Sequence, residues 1–283
     1  SRIGYSDSQP SGMAMITVNS AGENSIVVVP GANDCCDEAY FRRNQDVIQS
    51  AGILLIQLEI PHDGVFSLIS EMKKLGKTTI LNPAPAPESS PDSLFQYIDW
   101  ITPNETELSS ITKLPTDTVE QVEFAAKQLI QKGVGNVLVT IGSKGALLCR
   151  ESGCVRYPTQ KVTAVDTTAA GDTFNGALAV ALSEEMPVDD AIRFANTAAA
   201  ISVTRKGAQT SVPTREEVDA LSFIVRQPEK VSAFSCNAKR PVNPTDSQDV
   251  LRSFQKYLRV DCAARIPGLF ISTLRAATFS YPR

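Results

Sequence analysis

The chain has 283 residues, 42% of them hydrophobic, and a formal net charge of −4. That length suits one large α/β domain, or a domain with an appendage, and the acidic balance gives no support to a nucleic-acid role. No run is long and apolar enough to span a bilayer, and with His62 the single histidine no zinc site is expected.

The opening ten residues are polar. Met13 to Val18 and Ser25 to Val29 are β-branched runs around a polar, Gly-containing connection at Asn19 to Gly22, which predicts a β-hairpin. From residue 39 strands and helices alternate. Ile53 to Leu58 reads as a buried strand followed by Glu59. Val65 to Leu75 reads as a helix with Val65, Leu68, Ile69 and Met72 on one face. Thr78 to Leu81 is a strand followed by Asn82, and Ile98 to Thr102 a strand followed by Asn104 and Glu107. Val119 to Lys132 is an amphipathic helix, and Val137 to Ile141 a strand followed by Gly142 to Gly145. Ala146 to Leu148 and Cys154 to Tyr157 predict a short antiparallel pair, and a second Ala-rich helix runs from Asp189 to about Val203.

Almost wholly apolar strands alternating with helices predict a parallel sheet covered on both faces. Each polar cluster follows directly on a strand, and ligands of open α/β sheets bind beyond the carboxyl ends of strands. Glu59, Asn82, Asn104 with Glu107, and Gly142 to Gly145 are therefore expected to converge on one crevice.

The densest signal is Ala164-Val-Asp-Thr-Thr-Ala-Ala-Gly-Asp-Thr-Phe-Asn-Gly-Ala-Leu178. A turn of small residues, Ala169-Ala170-Gly171, leads into a helix whose apolar face is Phe174, Ala177, Leu178, Ala181 and Leu182. Backbone N–H groups at such a helix start make an anion hole suited to phosphate. Asp172 lies in the first turn. An acid there is ordinarily a charge–dipole contact, but beside an anion hole it is also placed to take a proton from a hydroxyl that attacks phosphorus. No Walker phosphate loop and no G-x-G-x-x-G occurs.

This phrase resembles the C-terminal signature of the ribokinase-like (PfkB) sugar kinases. Asn82-Pro-Ala-Pro-Ala, Thr102-Pro-Asn-Glu-Thr-Glu107, Thr140-Ile-Gly-Ser-Lys-Gly145 and Val203-Thr-Arg-Lys-Gly-Ala-Gln209 are similar to further phrases of that family, nearest to its ribose kinases. The resemblance implies a ribokinase-like α/β fold, a parallel sheet sandwiched by helices with part of a β lid at about residues 12–30. It implies ATP-dependent phosphorylation of D-ribose at the 5-hydroxyl, with Mg²⁺ and K⁺, in a cytoplasmic homodimer. Asp172 would be the catalytic base, with Ala169, Ala170 and Gly171 as the anion hole and Glu59 as a sugar-binding acid. Asn104 and Glu107 would lie near the triphosphate and Mg²⁺. Thr140, Ile141, Gly142, Ser143, Lys144 and Gly145, with Gly171 and Asn196, would bind ATP. Asp166, Thr168, Ser202, Arg205, Gly207 and Ser211 would form the K⁺ site. His62 and Trp100 are read as structural. Deoxyribokinase, fructokinase and a catalytically silent nucleotide-binding fragment are the alternatives.

The sequence departs from the family's pattern at both ends. A complete member opens with a strand bearing a sugar-binding Asp, followed by a Gly-Gly-x-Gly-Ala-Asn phrase. This sequence starts inside the lid, so the first βα units are expected to be missing and a strand edge to be left unpaired. Residues 1–227 are read as the kinase domain. Residues 228–283 carry nine Lys and Arg against four Asp and Glu, a net of +5, leaving −9 before them. That shift marks a boundary. The basic tail reads as a linker from Pro228 to Asp246 and a possible helix carrying Val250, Leu251, Phe254, Tyr257 and Leu258. The six cysteines form no C-x-x-C pair and are expected to be reduced thiols.

Overall fold

Side chains of successive strand residues point to opposite faces of a sheet, and here that alternation sorts the core in two. The computed structural model describes residues 5–18, 24–87, 91–226 and 269–271. β1 (Met13–Val18) and β2 (Asn24–Val29) form an antiparallel hairpin, as expected from their β-branched runs. The chain continues through α1 (Glu38–Arg43), α2 (Gln45–Ser50), β3 (Ile53–Ile56), α3 (His62–Lys74), β4 (Thr78–Leu81) and β5 (Trp100–Ile101). Then come α4 (Glu105–Thr112), α5 (Val119–Gln131), β6 (Asn136–Thr140), β7 (Ala146–Arg150), β8 (Gly153–Tyr157), α6 (Ala170–Ser183), α7 (Val188–Ser202), α8 (Arg215–Arg226) and β9 (Leu269–Ile271).

The large sheet has the order β8-β7-β6-β5-β4-β3-β9. Neighbours from β9 to β6 are parallel, and β7 is antiparallel to both of its neighbours, as the short antiparallel pair predicted. Leu54, Ile56, Leu81, Ile101, Val137 and Val139 point to one face, where they pack with the apolar sides of α3 and α5. Ile53, Leu55, Ile80, Trp100 and Leu138 point to the other, where Phe174, Leu178 and Ala181 of α6 and Ile192, Ala195 and Ala198 of α7 cover them. The sheet is thus sandwiched between helical layers, and burial of both faces explains why its strands read as unbroken apolar runs. Trp100 is core, and His62 opens α3, where its ring Nε2 lies 3.3 Å from the Leu58 carbonyl.

Two expectations need correction, and one helix is added. The edge of β3 is paired: Leu269–Ile271 runs parallel to it, with Ile53 opposite Leu269 and Leu55 opposite Ile271. A short apolar segment of the tail supplies the ladder groups that the edge would otherwise leave open. Cys149 and Cys154 are joined by a disulfide. They sit directly opposite in the β7–β8 register, with Cα atoms 4.1 Å apart, a nearness that sequence spacing alone does not give. Helix α8 follows Thr214 and went unread in the sequence, although its acidic first turn, Glu216 and Glu217, is an N-terminal signal. The hairpin turn at residues 19–23 and the linker and helix expected at residues 228–258 lie outside the described residues.

Candidate active site

The parallel pairing aligns the carboxyl ends of β3, β4, β5 and β6, and backbone bonds tie the loops beyond them together. Asn82 N–H donates to the Ile56 carbonyl (2.9 Å), Leu58 N–H to the Ala84 carbonyl (3.0 Å) and Thr140 N–H to the Pro103 carbonyl (3.0 Å). Asn104 and Thr140 form an isolated parallel bridge. The clusters beginning at Glu59, Asn82, Asn104 and Gly142 therefore stand side by side along one end of the sheet, as the strand-end rule requires. Asn82 is buried and Glu59 half-buried.

Helix α6 brings Asp172 to the same end. Gln57, the first residue past β3, donates from Nε2 to Asp172 Oδ1 at 3.3 Å. The helix starts with no side-chain cap, and its N-cap residue Ala169 takes a left-handed conformation with φ 59°. That backbone costs a non-glycine residue about 1–2 kcal/mol, and strain of this kind clusters where a ligand is to be held. Gly171 is exposed, and a side chain there would point into open space. Just beyond, Thr173 Oγ1 and Asn175 Oδ1 are buried with no protein partner. An uncapped start leaves the leading N–H groups of the helix for a bound anion. Asp172 and Ala169 also edge a cavity of about 510 Å³ between α6, α7 and α8. Its walls are largely apolar, including Val180, Phe194 and Val218, and none of the residues that follow β3 to β6 lines it.

The loop after β6 is held by its own backbone. Ile141 N–H donates to the Gly145 carbonyl at 2.9 Å and Gly145 N–H to the Gly142 carbonyl at 3.0 Å. Gly142 (φ 55°) faces open space. Gly145 (φ 97°) is packed so tightly that an added Cβ would lie 2.0 Å from the Tyr157 carbonyl. Asn196, on α7, donates from Nδ2 to that same carbonyl at 3.1 Å. The two parts of the expected nucleotide site are thus joined through Tyr157, a residue that no sequence motif singles out. The Tyr157 hydroxyl donates to Asp189 at the start of α7. Burial first, then that bond and the Asp189 charge, push its pKa up to about 12. Asn196 is buried, not exposed as is usual for a polar residue on an Ala-rich helix.

Asn104 and Glu107 form a reciprocal capping box on α4. Glu107 N–H donates to Asn104 Oδ1, and Asn104 N–H to Glu107 Oε2, both at 2.8 Å. Their first role is therefore to start α4. Among the described residues no group of three or more His, Cys, Asp and Glu could hold a metal ion.

The segments expected around a monovalent cation do meet. The Asp166 carboxylate accepts from Thr168 N–H and from Gly207 N–H, each at 2.9 Å. The Gly207 bond, then those from Thr168, hold its pKa at about 2. Val165 and Asp166 N–H both donate to the Val203 carbonyl at the end of α7. Ser202 and Ser211 are buried, and their hydroxyls bond to the Ala199 and Ala208 carbonyls. The Arg205 guanidinium grips Glu217 through two bonds of 3.1 and 2.6 Å, so only its backbone is available to an ion.

The profile described as pfkB family carbohydrate kinase matches residues 1–215. The chain belongs to that family, and so to the phosphotransferases that act on carbohydrates. It is similar to the ribokinase of Haemophilus influenzae, with 46% identity over 206 residues, 73% of this chain and 67% of that one. It is similar too to the deoxyribokinase of Salmonella typhi, with 38% identity over 207 residues, 73% of this chain and 68% of that one. The structure of Arabidopsis thaliana ribokinase complexed with ribose and ATP superposes with a TM-score of 0.71 at 38% identity, covering 76% of this chain and 70% of that one. The chain spans about two thirds of the length of these curated relatives. No described helix is long and apolar enough to cross a membrane.

Proposed function

We propose that the chain carries the machinery of an ATP-dependent sugar kinase acting on D-ribose, with transfer to the 5-hydroxyl. The observation that carries the reading is the Asp172 carboxylate, bonded to the residue that leaves β3 and set in the uncapped first turn of α6. Asp172 takes the proton of the sugar hydroxyl as its oxygen bonds to the terminal phosphorus of ATP and the bond from that phosphorus to the bridging oxygen breaks, releasing ADP, while the N–H groups of the Ala169-Ala170-Gly171 turn stabilise charge on the phosphoryl oxygens. Glu59 accepts hydrogen bonds from sugar hydroxyls. Residues 140–145, with Asn196 behind them, hold the nucleotide: Gly142 faces open space and lets the backbone approach it, while Gly145 lets the loop close against Tyr157.

Phosphoryl transfer of this kind uses Mg²⁺, which neutralises charge on the phosphates. Asn104 and Glu107 fit it only through water, because each already caps α4. Backbone carbonyls of Asp166, Thr168, Ser202, Arg205, Gly207 and Ser211 suit K⁺, since the Asp166 bonds draw two of these segments together. Residues 1–227 form the kinase unit, and the tail contributes the β9 edge strand. A cytoplasmic setting follows from the use of ATP.

The test is a phosphorylation assay of the whole chain with ATP, Mg²⁺ and K⁺ on ribose, 2-deoxyribose and fructose. Ribose is expected to give the highest kcat/KM. A preference for 2-deoxyribose, the reading suggested by the Salmonella relative, moves the assignment within the family. No turnover of any sugar removes it.

A second copy of the chain is the partner that best suits the hairpin. In the register Met13↔Val29 and Met15↔Val27, four apolar side chains share one face, and Val28 lies on the other. Met15, Val27 and Val28 are each more than half exposed. An isolated two-stranded hairpin is marginal in water, and pairing with its copy would cover these side chains. Sedimentation at micromolar concentration is expected to give a dimer that Val27→Glu splits; a monomeric unsubstituted chain would count against it.

A further inference from the structure

We propose that Gln57 is a positioning residue for the phosphoryl-transfer step, orienting the Asp172 carboxylate from the end of β3; this rests on the kinase reading above. Gln57 is the one polar residue in the run Ile53-Leu-Leu-Ile-Gln-Leu58 and is 4% exposed. A buried side-chain amide at a strand end is retained only where it has a partner. Its partner is Asp172 Oδ1, 3.3 Å away and 115 residues further along the chain.

The backbone on either side of Gln57 is fixed, Ile56 by Asn82 and Leu58 by Ala84. The amide therefore projects from a rigid edge of the sheet. Asp172 stands on the first turn of α6, whose N-cap residue Ala169 makes no side-chain cap bond. An aspartate turns about two side-chain torsions, and a base delivers its full effect only from one orientation. A neutral N–H donor holds the carboxylate in place without adding the charge that a lysine or arginine would bring. Gln57 itself need not touch sugar or nucleotide to do this.

The test compares Gln57→Met, similar in length and lacking a donor, with Gln57→Glu, which places a second carboxylate against the first. Both are made in the whole chain and assayed on the preferred sugar, with thermal unfolding measured alongside. Gln57→Met is expected to lower kcat about tenfold while KM for ATP and the melting temperature hold. Gln57→Glu is expected to lower kcat further, because like charges at this separation repel. An unchanged kcat in Gln57→Met overturns the proposal, and so does a loss of rate that only follows a loss of folded protein. Failure of the unsubstituted chain to turn over any sugar would instead bring down the kinase reading, and the proposal with it.

Discussion

Asp172→Ala is expected to lower kcat for sugar phosphorylation by about a thousandfold, within the range that a positioned general base contributes. That corresponds to about 4 kcal/mol of lost transition-state stabilisation. The affinity for ATP, measured by titration calorimetry, is expected to stay within about twofold. The split follows from where the side chain stands. Asp172 is bonded to Gln57 at the end of β3, whereas the loop at Gly142 to Gly145 and Asn196 meet at the Tyr157 carbonyl. Removing the carboxylate takes away the proposed proton acceptor and leaves the loop proposed to hold the nucleotide in place. Thermal unfolding serves as the control, since the side chain is only half-buried and its loss opens no core cavity. Retained turnover in Asp172→Ala would take the residue out of the base role.

Gly145→Ala is expected to have the largest effect of any single methyl addition on the site. At φ 97° an alanine is strained, and its Cβ would meet the Tyr157 carbonyl at 2.0 Å, the Thr159 nitrogen at 2.8 Å and the Pro158 carbonyl carbon at 2.9 Å. These are backbone atoms, so no flexible side chain can swing away. Strain and overpacking together are expected to cost about 3 kcal/mol. In a domain of this size that lowers the melting temperature by roughly 6–12 °C. The same displacement moves the carbonyl to which Asn196 donates, so KM for ATP is expected to rise with it. Gly142→Ala is the comparison: its Cβ meets nothing within 4 Å, leaving only the positive-φ cost. Equal melting temperatures for the two variants would show that the loop packs elsewhere.

Much of the architecture was legible because its signals are local. The apolar runs at residues 53–58, 78–81 and 137–141 place β3, β4 and β6 to within two residues. The helical spacing of Phe174, Leu178 and Ala181 gives the face of α6 that meets the sheet. Asn104 with Glu107 was readable both as a ligand-side pair and as a cap; the hydrogen bonds establish the cap. Gln57 was passed over because a single polar residue in a strand run carries no periodic signal, although its interruption of that run was there to be noticed. The Cys149–Cys154 bond and the β9 edge escaped for a different reason: each depends on which strand lies opposite which, and register is set by pairing.

By itself the sequence determined the layered α/β class, the strand ends on which polar residues collect, and the small-residue turn leading to an acid. Those follow from periodicity and from the backbone freedom of individual residues, which act over a few positions. Only the tertiary structure decided which of those polar groups touch. Asp172 meets Gln57, Asn196 donates to the Tyr157 carbonyl against which Gly145 packs, and Asp166 holds Gly207. Such contacts join residues between about 40 and 115 positions apart, and their geometry is fixed by how helices seat on a sheet, a sum over the whole core that no short stretch encodes.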